Sequence, residues 1–289
     1  MVEVLVIFKS NKPVTLKKLF IILTIGLSSL SFTHKELTWI AIGDSITYMN
    51  EHPEEAGHRI TKGYMTRVVE KLPYIHYVNQ GHNGWKVVDI ANKIESLKLQ
   101  KADIYTVFLG TNDWWHGQPI GTMDDYRNST GNKTVYGAFR TIIDKLRGLN
   151  PDAAIIMITP MQRGDFVYLK NMKNNAWGSY KEKDGQTLEQ VVQAVINITN
   201  LEHFKFVDLY HQKSLDVKRA VKYKRLKDPA TGEYKKYKYP EYTQIPFDPN
   251  KDEYPYPLDA VGITYDGLHP SDKGNKIIAD KLIQVLRKL

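Results

Sequence analysis

From Leu37 onward the chain alternates short, largely apolar runs with stretches of helical spacing, and this alternation restricts the fold more than any other feature. Residues 38–42, 75–79, 104–109, 155–159 and 204–209 are five runs of strand length. Their continuous apolar character suits strands buried on both faces. Between them apolar residues recur at helical intervals: Tyr64, Val68, Val69 and Leu72; Val88, Ala91, Ile94 and Leu97; Phe139, Ile142, Ile143 and Leu146; Leu188, Val191, Val192, Val195 and Ile196. A last stripe is formed by Ile277, Ile278, Leu282 and Val285. Strand–helix repetition of this kind predicts an α/β fold, a three-layer α/β/α arrangement around a central five-stranded parallel sheet. The expected strand order is the flavodoxin-like 2-1-3-4-5.

The chain has 289 residues, 42% of them hydrophobic and 25% charged, enough for a full core in one large domain. Two stretches break the rhythm. Residues 163–186 are polar, and residues 223–257 are rich in Tyr, Lys and Pro, with a turn expected at Asp228-Pro229-Ala230-Thr231-Gly232. Both are read as insertions into a single domain over residues 34–289, the second with a hairpin of its own. Residues 1–33 are set apart. Lys17 and Lys18 precede an uncharged, mostly apolar run of 14 residues, Leu19 to Phe32, shorter than the roughly 20 that a membrane span requires. A signal peptide behind an upstream extension is expected, and with it export to the periplasm or beyond, with no stable membrane insertion after processing.

The formal charge of +8 is concentrated in a solvated basic loop between Lys218 and Lys238 and at the N-terminus. No nucleic-acid reading element accompanies it, so no nucleic-acid partner is expected. The absence of cysteine excludes disulfides, thiolate metal sites and cysteine nucleophiles. His52, His58 and His82 show no paired-ligand spacing on a helix, and no metal is expected.

Active sites of open parallel sheets lie at the carboxyl ends of the strands. Here the first strand ends in Gly43-Asp44-Ser45, the second leads to Gly81-His82-Asn83-Gly84, and the third ends in Gly110-Thr111-Asn112-Asp113. Asp266-Gly267-Leu268-His269 precedes the final helix and is placed to return to the same edge. A serine hydroxyl needs a base to take its proton, and the base needs a carboxylate to hold its tautomer. Ser45, His269 and Asp266 supply these three parts as candidate catalytic residues. The oxyanion formed by attack needs donors, which the Ser45 N–H, the Gly84 N–H and the Asn112 side-chain amide supply. Trp114, Trp115 and His116 follow Asn112 and are candidates for a substrate wall. Asp44 and Asp113 are expected to anchor the loops by accepting backbone N–H bonds.

These blocks resemble those of the GDSL/SGNH hydrolases. Gly43-Asp44-Ser45-Ile46-Thr47 is similar to the first block, which carries the serine, with Ile46 in place of the leucine of the family name. Residues 79–84 are similar to the second, whose glycine donates to the oxyanion. Gly110-Thr111-Asn112-Asp113 resembles the third, and Asp266-x-x-His269 the last. Asp-x-x-His alone arises by chance in roughly a quarter of chains this long, but Gly-Thr-Asn-Asp in about one in several hundred. Their occurrence in order on successive strand ends therefore carries the resemblance. It implies a serine esterase of the flavodoxin-like fold, no cofactor, and hydrolysis of carboxylic esters.

The expected substrate is a small acyl ester, in the first place acetate on a glycan. Aromatic residues beside the site suit sugar rings, and the Lys-rich insertion suits acidic glycans. A lipase or lysophospholipase is the alternative enzyme. A glycan-binding protein on the same fold is the alternative from another class, against which every catalytic position is filled. A nucleotide-binding flavodoxin-like domain ranks last, because no phosphate-binding glycine loop follows any strand.

Overall fold

The computed structural model describes residues 35–289, so the expected signal segment lies outside the described residues. Five strands form one parallel sheet: β1 (Leu37–Gly43), β2 (Ile75–Gly81), β3 (Ile104–Phe108), β4 (Ala154–Ile158) and a short fifth over Lys205–Val207. In space they run second, first, third, fourth, fifth, the expected order. The period of two along each strand sorts side chains into two cores. Ile40, Ile42, Tyr105, Val107, Ile155 and Met157 pack on one face with helices over Val87–Lys93, Val135–Leu149 and Leu188–Glu202. Trp39, Ala41, Ile104, Phe108, Ile156 and Ile158 pack on the other with helices over Tyr64–Val69 and Asp272–Leu286. The result is three layers.

The fifth strand is shorter than the apolar run suggests. Beyond Val207 the backbone N–H groups of Leu209 and Tyr210 donate to the Thr159 hydroxyl at 2.8 and 3.1 Å, so a side chain replaces the ladder. The helix over Val135–Leu149 starts a turn before the stripe that predicts it, because the Thr134 hydroxyl accepts the Gly137 N–H and caps it. Short helices over Ser45–Tyr48 and Thr111–Trp115 follow β1 and β3 directly, where only strand ends are legible in the pattern.

Register aligns the strand ends on one edge. Gly43 pairs with Gly81 and with Phe108, and Phe108 with Ile158. The chain therefore leaves four adjacent strands at the same level, and the residues just beyond them share one rim.

Residues 224–227 and 234–237 form an antiparallel hairpin around the expected turn, with Asp228 accepting the N–H groups of Ala230 and Thr231. Residues 166–167 and 175–176 form a second, smaller one. Val167 shares a small core with Val221, Leu226, Tyr242 and Tyr256, so the two polar stretches pack together.

Candidate active site

Asp44, buried behind β1, caps the following short helix by accepting the Ile46 N–H at 2.9 Å. That turn leaves Ser45 half-buried at the rim. The Ser45 Oγ lies 2.8 Å from His269 Nε2, and His269 Nδ1 lies 2.6 Å from Asp266 Oδ2. A carboxylate only accepts, so Nδ1 carries the proton and Nε2 is left bare to take one from the serine. The other Asp266 oxygen accepts the backbone N–H groups of Leu268 and His269 at 3.0 and 2.7 Å. Carboxylate and imidazole are thus fixed by one tight loop. Two rings flank the imidazole, Phe166 edge-on at 5.5 Å and Tyr265 stacked at 5.8 Å.

Gly267 makes that loop possible. Its φ of +93° is left-handed, and a Cβ there would meet the Asp165 carbonyl oxygen at 1.7 Å. The Gly164 N–H donates to Gly267 O and the Val167 N–H to Asp266 O, so the first polar stretch is stitched onto the loop that bears His269.

The oxyanion candidates face the same cavity. Ser45, Gly84, Asn112 and His269 all line an opening of about 400 Å³. The Ser45 N–H is a first-turn helix donor, which has no intrahelical acceptor. Gly84 adopts φ +74°, a conformation that favours glycine, with open space around it. The Asn112 amide is oriented by donating to the Trp85 carbonyl at 3.0 Å. Asp113, fully buried, accepts the Val87 N–H at 2.9 Å and ties the third strand end to the helix over Val87–Lys93. Burial pushes its carboxyl up to about 7, against the pull of that hydrogen bond. Burial likewise raises Asp44 to about 6, with the Ile46 N–H and His269 pulling the other way.

Of the three candidates for the substrate wall, Trp115 and His116 line the cavity and Trp114 does not. Successive residues of a helix point about 100° apart, so Trp114 turns into the core, where it is fully buried and donates its Nε1–H to Gln186 O at 3.0 Å. The opposite wall comes from residues 163–176, which sequence reasoning leaves without a role: Arg163, Phe166, Tyr168, Asn174 and Ala176. A signal for Arg163 exists, since it follows β4 at the rim that the first three strand ends define. His52, Glu54 and Glu55 each bring a ligand atom within 4.8 Å of the others; Glu55 lines the same cavity, and His52 stacks on Tyr48 at 4.0 Å.

The architecture is the three-layer α/β fold of the GDSL/SGNH hydrolases. The model of the GDSL-like Lipase/Acylhydrolase family matches residues 41–277, and the chain belongs to that family. It is accordingly a carboxylic ester hydrolase. A crystal structure of a possible lipase from Chitinophaga pinensis is 59% identical, with a TM-score of 0.87 over 88% of this chain and 98% of that one. A protein from Lactobacillus plantarum is 19% identical, with a TM-score of 0.57 over 88% and 98% of the two chains. An acetyl xylan esterase, AlAXEase, is also 19% identical, with a TM-score of 0.50 over 86% and 98%. The last two share the fold. None of the curated proteins matches the chain. Among the described residues no helix is long and apolar enough to cross a membrane.

Proposed function

We propose that Ser45 is the nucleophile of this esterase, His269 its general base and Asp266 the group that holds the imidazole. The observation that carries this reading is the continuous line from Ser45 Oγ through His269 to Asp266, at 2.8 and 2.6 Å. Ser45 attacks the ester carbonyl while Nε2 takes its proton. The carbonyl oxygen becomes an oxyanion that the Ser45 N–H, the Gly84 N–H and the Asn112 amide receive. Collapse expels the alcohol, protonated by His269, and leaves an acyl-serine. Water, activated by the same imidazole, then releases the acid.

For the substrate, lipase-type acyl hydrolysis has the better support, because the relative at 59% identity is described as a possible lipase. A cavity of about 400 Å³ favours small esters over long acyl chains within this class. Carbohydrate O-acetyl hydrolysis is the second reading, favoured by the aromatic side chains of Trp115, Phe166 and Tyr168 around the opening. The charged, then apolar N-terminal segment supports action outside the cytoplasm.

An aryl phosphonate should add one mass increment to the wild type and none to Ser45→Ala. The same substitution should lower kcat on an aryl acetate by at least about 10⁴-fold without changing the fold. Aryl esters of graded chain length, assayed beside acetylated glycans, separate the two substrate readings. Equal turnover by wild type and Ser45→Ala would end the serine mechanism.

A further inference from the structure

Arg163 is 2% exposed, yet it lines the cavity that holds Ser45 and His269. Its Nε and Nη2 are buried with no hydrogen-bond partner among the described residues. The guanidinium is boxed by rings, with its central carbon 5.6, 5.7 and 5.8 Å from the centroids of Trp114, Trp115 and Phe166. Its main chain is pinned as well: the Arg163 N–H donates to the Ser179 hydroxyl at 3.1 Å, and the Ser179 N–H donates to Arg163 O at 2.9 Å. The side chain is therefore held in place before any ligand arrives.

The neighbouring carboxylates are committed elsewhere. Asp266 accepts from His269 and Leu268. Asp165 is paired with Lys224 at 2.9 Å and accepts from Gly178 N–H and the Tyr180 hydroxyl. Asp44 accepts from Ile46. These charges stabilise the guanidinium at a distance without using its donors. A buried cation with unused donors is costly, and the planar fork of N–H groups matches a carboxylate two-to-two.

We infer that Arg163 is a built receptor for a carboxylate carried by the substrate, next to the ester that Ser45 attacks. The inference rests on the esterase reading of the site and narrows its substrate class. Two sources of the carboxylate share this chemistry. It sits on the alcohol, as in an acetylated uronic acid, or on the acyl group, as in a half-ester of a dicarboxylic acid.

The test compares kcat/KM within two matched pairs. One pair is an acetylated methyl glucuronoside and the corresponding glucoside; the other is 4-nitrophenyl hydrogen glutarate and 4-nitrophenyl butyrate. In the wild type the acid of one pair should exceed its neutral partner by about tenfold or more, the scale of a charge-assisted hydrogen bond. Arg163→Gln should bring that ratio to about one, and Arg163→Lys, which keeps the charge but loses the fork, should fall between. Ratios within about twofold in both wild-type pairs would overturn the inference, as would a preference that survives Arg163→Gln.

Should Arg163→Gln fail to fold, the wild type decides. Free glucuronate or glutarate should slow phosphonate labelling of Ser45 where glucose or glutaramide does not, and no protection by either acid would overturn the inference. Turnover of the neutral esters, and its loss in Ser45→Ala, tests the underlying esterase reading separately.

Discussion

Two walls face each other across the cavity, and they bury charge in opposite ways. The rim built from strand ends hides Asp44 and Asp113 and satisfies them with backbone N–H groups; among the described residues neither forms an ion pair. The wall built from residues 163–176 and the Lys224 hairpin instead sets ions against one another. Buried Lys224 meets Asp165, and Arg163 stands among aromatic rings. Backbone donors come with the strand-to-helix turn itself, so the rim reproduces its geometry wherever the strands align. Ion pairs need particular side chains brought from distant segments, Asp165 and Lys224 being 59 residues apart. The first device suits chemistry shared by all esters, and the second suits choosing among them.

The largest expected effect tests the rim's way of holding charge. Asp113 has its folded value raised from 3.8 to about 7 by burial. Between these values the folded protein keeps a proton that the unfolded chain has released, so stability should fall as pH rises from about 4 to 7. The displacement of about three units is worth on the order of 4 kcal/mol at full titration. Asp113→Asn removes the ionisation while keeping an oxygen for the Val87 N–H. Urea unfolding of both proteins from pH 4 to 8 should show the variant gaining on the wild type between about pH 4 and 7 and levelling off above. The cost of burying the new amide is a constant offset, so the slope is the readout. A difference independent of pH would mean that Asp113 is buried without such a displacement, and the contrast between the walls would fail.

Next in size is Asn112→Ala. In the proposed oxyanion role the amide, oriented by Trp85 O, meets every ester carbonyl in the same way, so kcat should drop about a hundredfold. The loss should be the same for acetate, butyrate and hexanoate aryl esters, and for charged and neutral ones. A loss that varied strongly with the ester would move Asn112 from the shared chemistry to the selecting wall.

The same contrast explains what the sequence makes legible. The five strands and the rim residues Ser45, Asn112, Asp266 and His269 follow from local patterns, while the strand order follows from the flavodoxin-like class that alternation with helices implies. Burial on both faces and a polar strand end are written in consecutive residues. The interior position of Trp114 is not, because a run of three aromatic or basic residues says nothing of which face each takes on a helix. Nor is the wall that holds Arg163 and Phe166. It depends on Gly267 at φ +93° allowing the Asp165 carbonyl to approach, and on Lys224 arriving from a hairpin far along the chain. Such contacts leave no periodic trace. Even so, the rule that points to the first three strand ends applies equally to the fourth, and Arg163 stands just beyond it.

The smallest effect probes the selecting wall directly. Phe166 is nearly buried, lines the cavity and meets the His269 ring edge-on at 5.5 Å. His269 does not depend on it for orientation, because Asp266 holds Nδ1 and the loop holds the backbone. Phe166→Ala should therefore enlarge the opening more than it disturbs the proton transfer. The ratio of kcat/KM for an aryl acetate over the hexanoate should fall about tenfold, which corresponds to roughly 1.4 kcal/mol of changed discrimination. Phe166→Leu, which keeps most of the volume, should shift the ratio less and separates lost packing from lost stability. If both esters instead lost activity in equal proportion, Phe166 would belong functionally to the rim, acting through the imidazole it touches, and selection would have to be sought at Arg163 and Trp115 alone.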